Sequence, residues 1–168
     1  RTPLLTGVPG FEGHGAARRV YNRALLIGPD GEPLGSYDKE HLVPFGEYVP
    51  SWLDWEWLAP LLQEIGAYTP GESTAPLRIG RLALGMLICY EGVFPWLAQD
   101  RVAKGANILV DISNDGWFGA TPAPRQHLFL TALRAIEQRR WILRGTNTGI
   151  SAVIDDRGRP VVSGGQFR

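Results

Sequence analysis

Cys89 is the only cysteine in the chain, and it closes the apolar run RLALGMLIC just before the polar turn Tyr90-Glu91-Gly92. A thiol in that position can act as a nucleophile when its thiolate is stabilised, and a strand-to-helix turn offers backbone N–H groups and the positive end of a helix. An ammonium group nearby lowers the pKa of the thiol and later holds the oxyanion that forms when a carbonyl is attacked. The chain has two lysines. Lys39 follows a strand-like segment and is the better placed, whereas Lys104 falls at the predicted end of a helix, where the helix dipole alone favours a cation. A third group must take the thiol proton and return it to a leaving group. Glu47, Glu91, His41 and His127 are all candidates for that task, and spacing does not choose among them. The competing reading is a lone cysteine that fills a core.

These residues need elements to position them. Residues 19–28 read as a strand ending at the turn Pro29-Asp30-Gly31-Glu32, and 33–39 resume as a second strand, a hairpin that delivers Lys39 to its far end. A loop punctuated by Pro44, Gly46 and Pro50 leads to SWLDWEWLAPLLQEIG, where Trp52, Trp55, Leu58 and Leu62 recur at helical spacing until Pro60 interrupts it. Residues 69–80 are turn-rich. The run to Cys89 is short and unbroken enough for a buried strand, and a helix over 94–103 ended by Gly105 leads to the apolar strand ANILVDIS and the loop SNDGWFG, a β-α-β unit. From Pro124 to Trp141, Leu128, Leu130, Ala132, Leu133, Ile136 and Arg140 give a helical stripe, with Arg134, Glu137 and Arg139 for a polar face. WILRGTNTGISAVID reads as strand, and Asp156-Arg157-Gly158-Arg159 turns the chain back into PVVSG. The sum is one α/β domain whose reactive groups gather where strands end, with Cys89, Lys39 and the 113–119 loop on one edge.

Composition agrees with a single globular domain: 168 residues, 44% hydrophobic and 20% charged. Seventeen Lys plus Arg balance seventeen Asp plus Glu, with no basic block, so nucleic acid is not an expected partner. No run approaches the roughly 18 apolar residues that span a bilayer. The only methionine is Met86, so further sequence upstream of residue 1 is expected. Nothing points to a metal or an organic cofactor.

The segment YDKEHLVPFGEYVP at 37–50 resembles the lysine region of the apolipoprotein N-acyltransferases, a membrane-bound branch of the nitrilase superfamily, and LICYEGVFP at 87–95 resembles their nucleophile region. SNDGWFG at 113–119 and the stretch at 133–155 are similar to the family's later segments. The resemblance implies a nitrilase-like α-β-β-α sandwich, here lacking its N-terminal part, and a Glu-Lys-Cys triad with Cys89 as nucleophile and Lys39 stabilising the tetrahedral intermediate. It implies that Glu47 and Glu91 support the site, that Tyr90 turns its backbone N–H toward the oxyanion, and that Trp117 lines an acyl pocket. The triad glutamate lies, in the family, in a Trp-Pro-Glu type segment that this sequence does not contain. Glu12, in a Gly-rich loop without that motif, is not expected to replace it, so the isolated chain is expected to be inactive.

For the family the reaction is ping-pong, with a phospholipid as acyl donor, a cysteine thioester as intermediate and the diacylglyceryl-cysteine amine of an apolipoprotein as acceptor. The resemblance implies a bacterial inner-membrane location, with the catalytic domain facing the periplasm and the membrane held through flanking helices of a longer parent protein. Trp52, Trp55 and Trp57 could add an interfacial arm or pack into the core. Two other readings compete: a soluble nitrilase-like amidase using the same Cys and Lys, and a non-catalytic module lacking the glutamate. HLVPFGEYVP and SNDGWFG argue against the amidase.

Overall fold

The computed structural model describes residues 2–50 and 68–166. The tryptophan-rich segment with Trp52, Trp55 and Trp57 lies outside the described residues. Three antiparallel strands, β1 (Leu4–Glu12), β2 (Arg19–Ile27) and β3 (Pro33–Asp38), form one sheet in the order β1-β2-β3. The other sheet has six strands in sequence order: β4 (Leu77–Ile79), β5 (Leu82–Ile88), β6 (Ile108–Ser113), β7 (Ile142–Thr146), β8 (Ala152–Ile154) and β9 (Pro160–Ser163). Its central strands β5, β6 and β7 run parallel. Parallel neighbours need long crossovers, and two α-helices among the described residues supply them: α1 (Pro95–Ala103) joins β5 to β6, and α2 (Ala123–Gln138) joins β6 to β7.

Burial follows from that layering. Strand β5 is buried at every position from Ala83 to Ile88, because one face meets the helices and the other meets the first sheet. Leu87, Leu97, Ala98, Leu109, Leu128 and Ile142 form the helix-to-sheet core. Ala24, Leu26 and Tyr37 pack against Leu84, Met86 and Val110 in the sheet-to-sheet core. The described residues thus hold three of the four expected layers; a helical cover for the three-stranded sheet is not among them. No described helix is long and apolar enough to cross a membrane.

The hairpin to Lys39, the strand to Cys89, the β-α-β unit and the β8–β9 turn stand where the sequence places them. Four expectations need correction. Glu12 is not in a loop: it ends β1, and Arg23 donates to it at 2.9 Å. The turn-rich stretch 69–80 contains the short strand β4. Residues 141–155 are two antiparallel strands, β7 and β8, because the chain turns back between Thr146 and Ala152. The buried face of α2 is also rotated from the apolar stripe. His127, Leu128, Thr131, Ala132, Arg134 and Ala135 are buried, while Leu130, Leu133 and Ile136 are exposed. Polar partners beneath the helix draw His127, Thr131 and Arg134 inward against their hydropathy.

Candidate active site

Strands β3, β5 and β6 end together, and the groups with chemistry sit just past those ends. Cys89 follows β5 and opens a short 3-10 turn, Cys89–Val93, that leads through Phe94 into α1 at Pro95. Its φ of 55° is in the left-handed region, an uncommon conformation for a side chain other than glycine or asparagine. A costly backbone state held by its surroundings is a mark of functional positions. Gly92 lets the turn settle on α2: a Cβ there would lie 2.9 Å from Thr131 Oγ1 and 3.3 Å from Asp111 Oδ2.

The thiol is half-buried. Burial pushes its pKa up, opposed by a hydrogen bond with Ser113 and by the charge of Lys39. Asp111 and Asp115 push in the same direction as burial. Without a base to take its proton the group rests as a thiol, which is the state a general base serves.

Lys39 is fully buried, and its ammonium is fixed by a 2.7 Å ion pair with Glu47 Oε2. Glu47 is held in turn: Oε2 also accepts the N–H of Val43 at 2.8 Å and Oε1 accepts from Asn22 at 2.7 Å. Asn22 lies on β2, so the lysine is aimed from both strands of its hairpin. A buried ammonium held by one carboxylate still has donors to offer to a developing oxyanion.

Glu91 is completely buried and joins the two halves of the site. Oε1 accepts the backbone N–H groups of Glu40 and His41, both at 2.9 Å, and Oε2 accepts that of Ile88 at 2.7 Å. Tyr37 bonds to the same carboxylate, and Arg101 donates to Tyr37 at 2.7 Å. Burial raises the pKa of Glu91 against the pull of those donors. Each oxygen of Glu47 and Glu91 already accepts at least one hydrogen bond, so neither carboxylate has an unbonded oxygen for the thiol proton.

His41 lies edge-on to Phe94 at 4.5 Å, and Tyr90 and Trp96 complete the aromatic group at 5.0 and 4.6 Å from Phe94. Trp117, in the 3-10 turn Asp115–Phe118, is 82% exposed and packs into no core. Lys104 stands apart at the end of α1, paired with Asp100 at 2.9 Å. Among the described residues no group of three or more His, Cys, Asp and Glu converges as a metal site does.

The sequence reading did not single out Ser113, Asp111, Asp115 and Arg144 behind the thiol. Polar residues within the apolar run ILVDIS, and His127, Thr131 and Arg134 at helical spacing, were the signals available.

Residues 1–168 match the carbon-nitrogen hydrolase family, and the chain belongs to that family. It is 43% identical over 158 residues to an apolipoprotein N-acyltransferase of Geobacter metallireducens, covering 94% of this chain and 30% of that protein. It is 44% identical over 164 residues to one of Caulobacter vibrioides, covering 94% and 31%. The chain therefore spans about 30% of the length of these relatives. Among solved structures it superposes on Nit3 of Saccharomyces cerevisiae, a nitrilase-superfamily member, with a TM-score of 0.71 at 22% identity over 96% of this chain and 54% of that one. A glutamate-to-glutamine mutant of the amidase from Nesterenkonia sp. AN1, in which acrylamide has added to the active-site cysteine, gives 0.67 at 25% identity, covering 98% and 59%. These likenesses fit the nitrilase-like sandwich, of which the described layers are the sheet pair and one helical cover.

Proposed function

We propose that residues 1–168 are the cysteine- and lysine-bearing part of an apolipoprotein N-acyltransferase, with Cys89 as nucleophile and Lys39 as oxyanion holder. The observation that carries this reading is the likeness to proteins of that name over 94% of the chain, at 43 and 44% identity. In the first half-reaction the Cys89 sulfur attacks the ester carbonyl of a phospholipid, the tetrahedral oxyanion meets the Lys39 ammonium, and the lysophospholipid leaves with the thiol proton. In the second, the α-amino group of a lipoprotein's diacylglyceryl-cysteine attacks the thioester, an amide forms and the thiol is restored. A thioester keeps acyl reactivity toward an amine provided that water is excluded.

With each oxygen of Glu47 and Glu91 already bonded, the general base is a different carboxylate, one that the family resemblance implies in the N-terminal part of the same domain. The exposed rings of Tyr90, Trp96 and Trp117 on segments around the elbow suit an acyl chain or lipid surface better than a small polar amide. Flanking membrane helices in the parent protein, and a catalytic domain facing the periplasm of a bacterial inner membrane, complete the proposal.

The test is the intact mass of the full-length gene product after incubation with phospholipid, beside its Cys89→Ala variant. A fatty-acyl-sized adduct, released by neutral hydroxylamine and missing from Cys89→Ala, supports the reading. No adduct, together with ammonia release from small amides, replaces it with an amidase on the same Cys and Lys.

A further inference from the structure

Behind the cysteine elbow lies a buried charged cluster that acyl transfer as described leaves unused. Asp111 comes from β6, Asp115 from the turn after it, His127 and Thr131 from α2 and Arg144 from β7, and all five are buried. Arg144 pairs with Asp111 through Nη1 and donates through Nη2 to Asp115 Oδ2 at 3.0 Å. Its Nη1 also donates to Thr131 at 3.2 Å, and its Nη2 stands 3.0 Å from His127 Nδ1. The other oxygen of Asp115, Oδ1, accepts from Ser113 Oγ at 2.6 Å and lies 3.2 Å from His127 Nδ1.

Both groups that meet Asp115 Oδ1 reach the same residue at their far ends. His127 Nε2 is 3.1 Å from the carbonyl oxygen of Cys89; a carbonyl only accepts, so Nε2 carries a proton, and Nδ1 needs one of its own to donate to Asp115 Oδ1. Ser113 is the hydroxyl that acts on the Cys89 thiol, lowering its pKa against burial. One carboxylate, clamped from behind by Arg144, therefore controls two arms, one on the main chain and one on the thiol of Cys89.

Stability alone does not call for this construction. Desolvating two carboxylates and a guanidinium is expensive, and well-packed apolar side chains are often as stabilising. Asp111 Oδ1 and Arg144 Nε also have no hydrogen-bond partner among the described residues. The cluster does, however, stand where a left-handed backbone has to be held without a glycine.

We propose that Asp115 is the positioning residue of the nucleophile, aiming the Cys89 thiol through Ser113 and locking its left-handed main chain through His127. The proposal rests on the reading of Cys89 as nucleophile. The Ser113 hydroxyl has a single proton, given to Asp115 while the thiol is protonated and available to the sulfur once a thiolate forms. Lys39, Asp111 and Asp115 are the charged groups acting on that sulfur, and none of them is removed when Ser113 is changed.

The experiment follows iodoacetamide alkylation of the Cys89 peptide against pH in the full-length gene product, by mass spectrometry, with thermal melting as the control for folding. Ser113→Ala is expected to move the midpoint of the profile up by about one pH unit, the worth of one hydrogen bond to an ionised group, and Ser113→Thr to restore it. His127→Leu is expected to cut the high-pH rate about tenfold, while His127→Gln, which keeps a donor for the carbonyl, stays within about threefold of the wild type. A Ser113→Ala midpoint equal to that of the wild type, or equal high-pH rates in His127→Leu and His127→Gln, overturns the proposal. Alkylation requires no lipid, so an absent acyl adduct would count against acyl transfer and leave this result standing.

Discussion

The Tyr37 hydroxyl lies 2.9 and 3.0 Å from the two carboxylate oxygens of Glu91, joining the end of β3 to the cysteine elbow across 54 residues of chain. Lysine and cysteine belong to different sheets, and their relative position depends on that junction. Glu91 is its centre, since the same carboxylate also accepts backbone N–H groups from Glu40, His41 and Ile88.

Glu91→Ala is accordingly expected to do more than remove a side chain. The buried N–H of Ile88, the part-buried N–H groups of Glu40 and His41 and the Tyr37 hydroxyl lose their acceptor, and each buried unsatisfied group costs about 1–3 kcal/mol. A loss of about 3 kcal/mol or more in urea-denaturation stability is expected, with acyl transfer abolished. Glu91→Gln retains one oxygen and is expected to be less destabilised while still strongly impaired. Equal stability of Glu91→Ala and the wild type would mean that the bracket does not hold the two halves together.

The two lysines give a sharper contrast. Lys39 is one of the influences that lower the Cys89 pKa against burial, so Lys39→Met is expected to displace thiol alkylation toward more alkaline pH. It is also expected to abolish thioester formation. Lys104 is half-exposed and pairs with Asp100, and an exposed i,i+4 ion pair contributes about 0.3–0.5 kcal/mol. Lys104→Ala is expected to leave both readouts at wild-type values. Alkylation profiles of the two variants, side by side, check the assignment.

Glu47 fixes the ammonium rather than the thiol. Glu47→Gln keeps the size and the Asn22 contact but removes the charge that holds Lys39, and it exchanges one acceptor oxygen for a donor. A fall in kcat of at least about tenfold is expected, with little change in melting temperature, because the fault lies in aim more than in packing. A loss confined to KM would assign Glu47 to substrate binding instead.

The parts of the site that contiguous motifs carry are legible in the sequence: Lys39 and Glu47 share one loop, and Cys89 and Glu91 share one turn. Strand β5 is legible for the same reason, as an apolar run with a hard stop. What was lost arises from distance. Ser113, Asp115, His127 and Arg144 span 32 positions and meet only because β5, β6 and β7 pair in parallel with α2 above them. His127 was among the residues considered for taking the thiol proton, yet its ring faces the Cys89 carbonyl and Asp115. Apolar periodicity likewise misplaced the inner face of α2, because a buried charged cluster attracts polar residues that hydropathy sends outward. Strand β1 was missed because Gly7, Pro9 and Gly10 are poor strand formers, and pairing with β2 overrides that preference.

The acid limb of the stability curve tests the cluster from a different side. Burial alone would raise the pKa of Asp115, but hydrogen bonds with His127 and Ser113 and the charge of Arg144 outweigh it and hold the carboxyl down at about 2, against an ordinary value of 3.8. A folded pKa below the unfolded one means that the unfolded chain takes up its proton first as pH falls. The stabilisation from ionised Asp115 is therefore complete above about pH 4, shrinks between 4 and 2, and is gone below 2. Asp111 and Glu91 carry the opposite sign, since burial raises them, and their contribution is present at low pH and fades as pH rises through their folded values. The total acid limb mixes these effects, and a difference measurement isolates the first. Urea denaturation of the wild type and Asp115→Asn is expected to show a stability gap that is widest above pH 4 and narrows steadily toward pH 2. A gap that stays constant across that range would mean that Asp115 is not held low, and that the bracket behind Cys89 is not built on its charge.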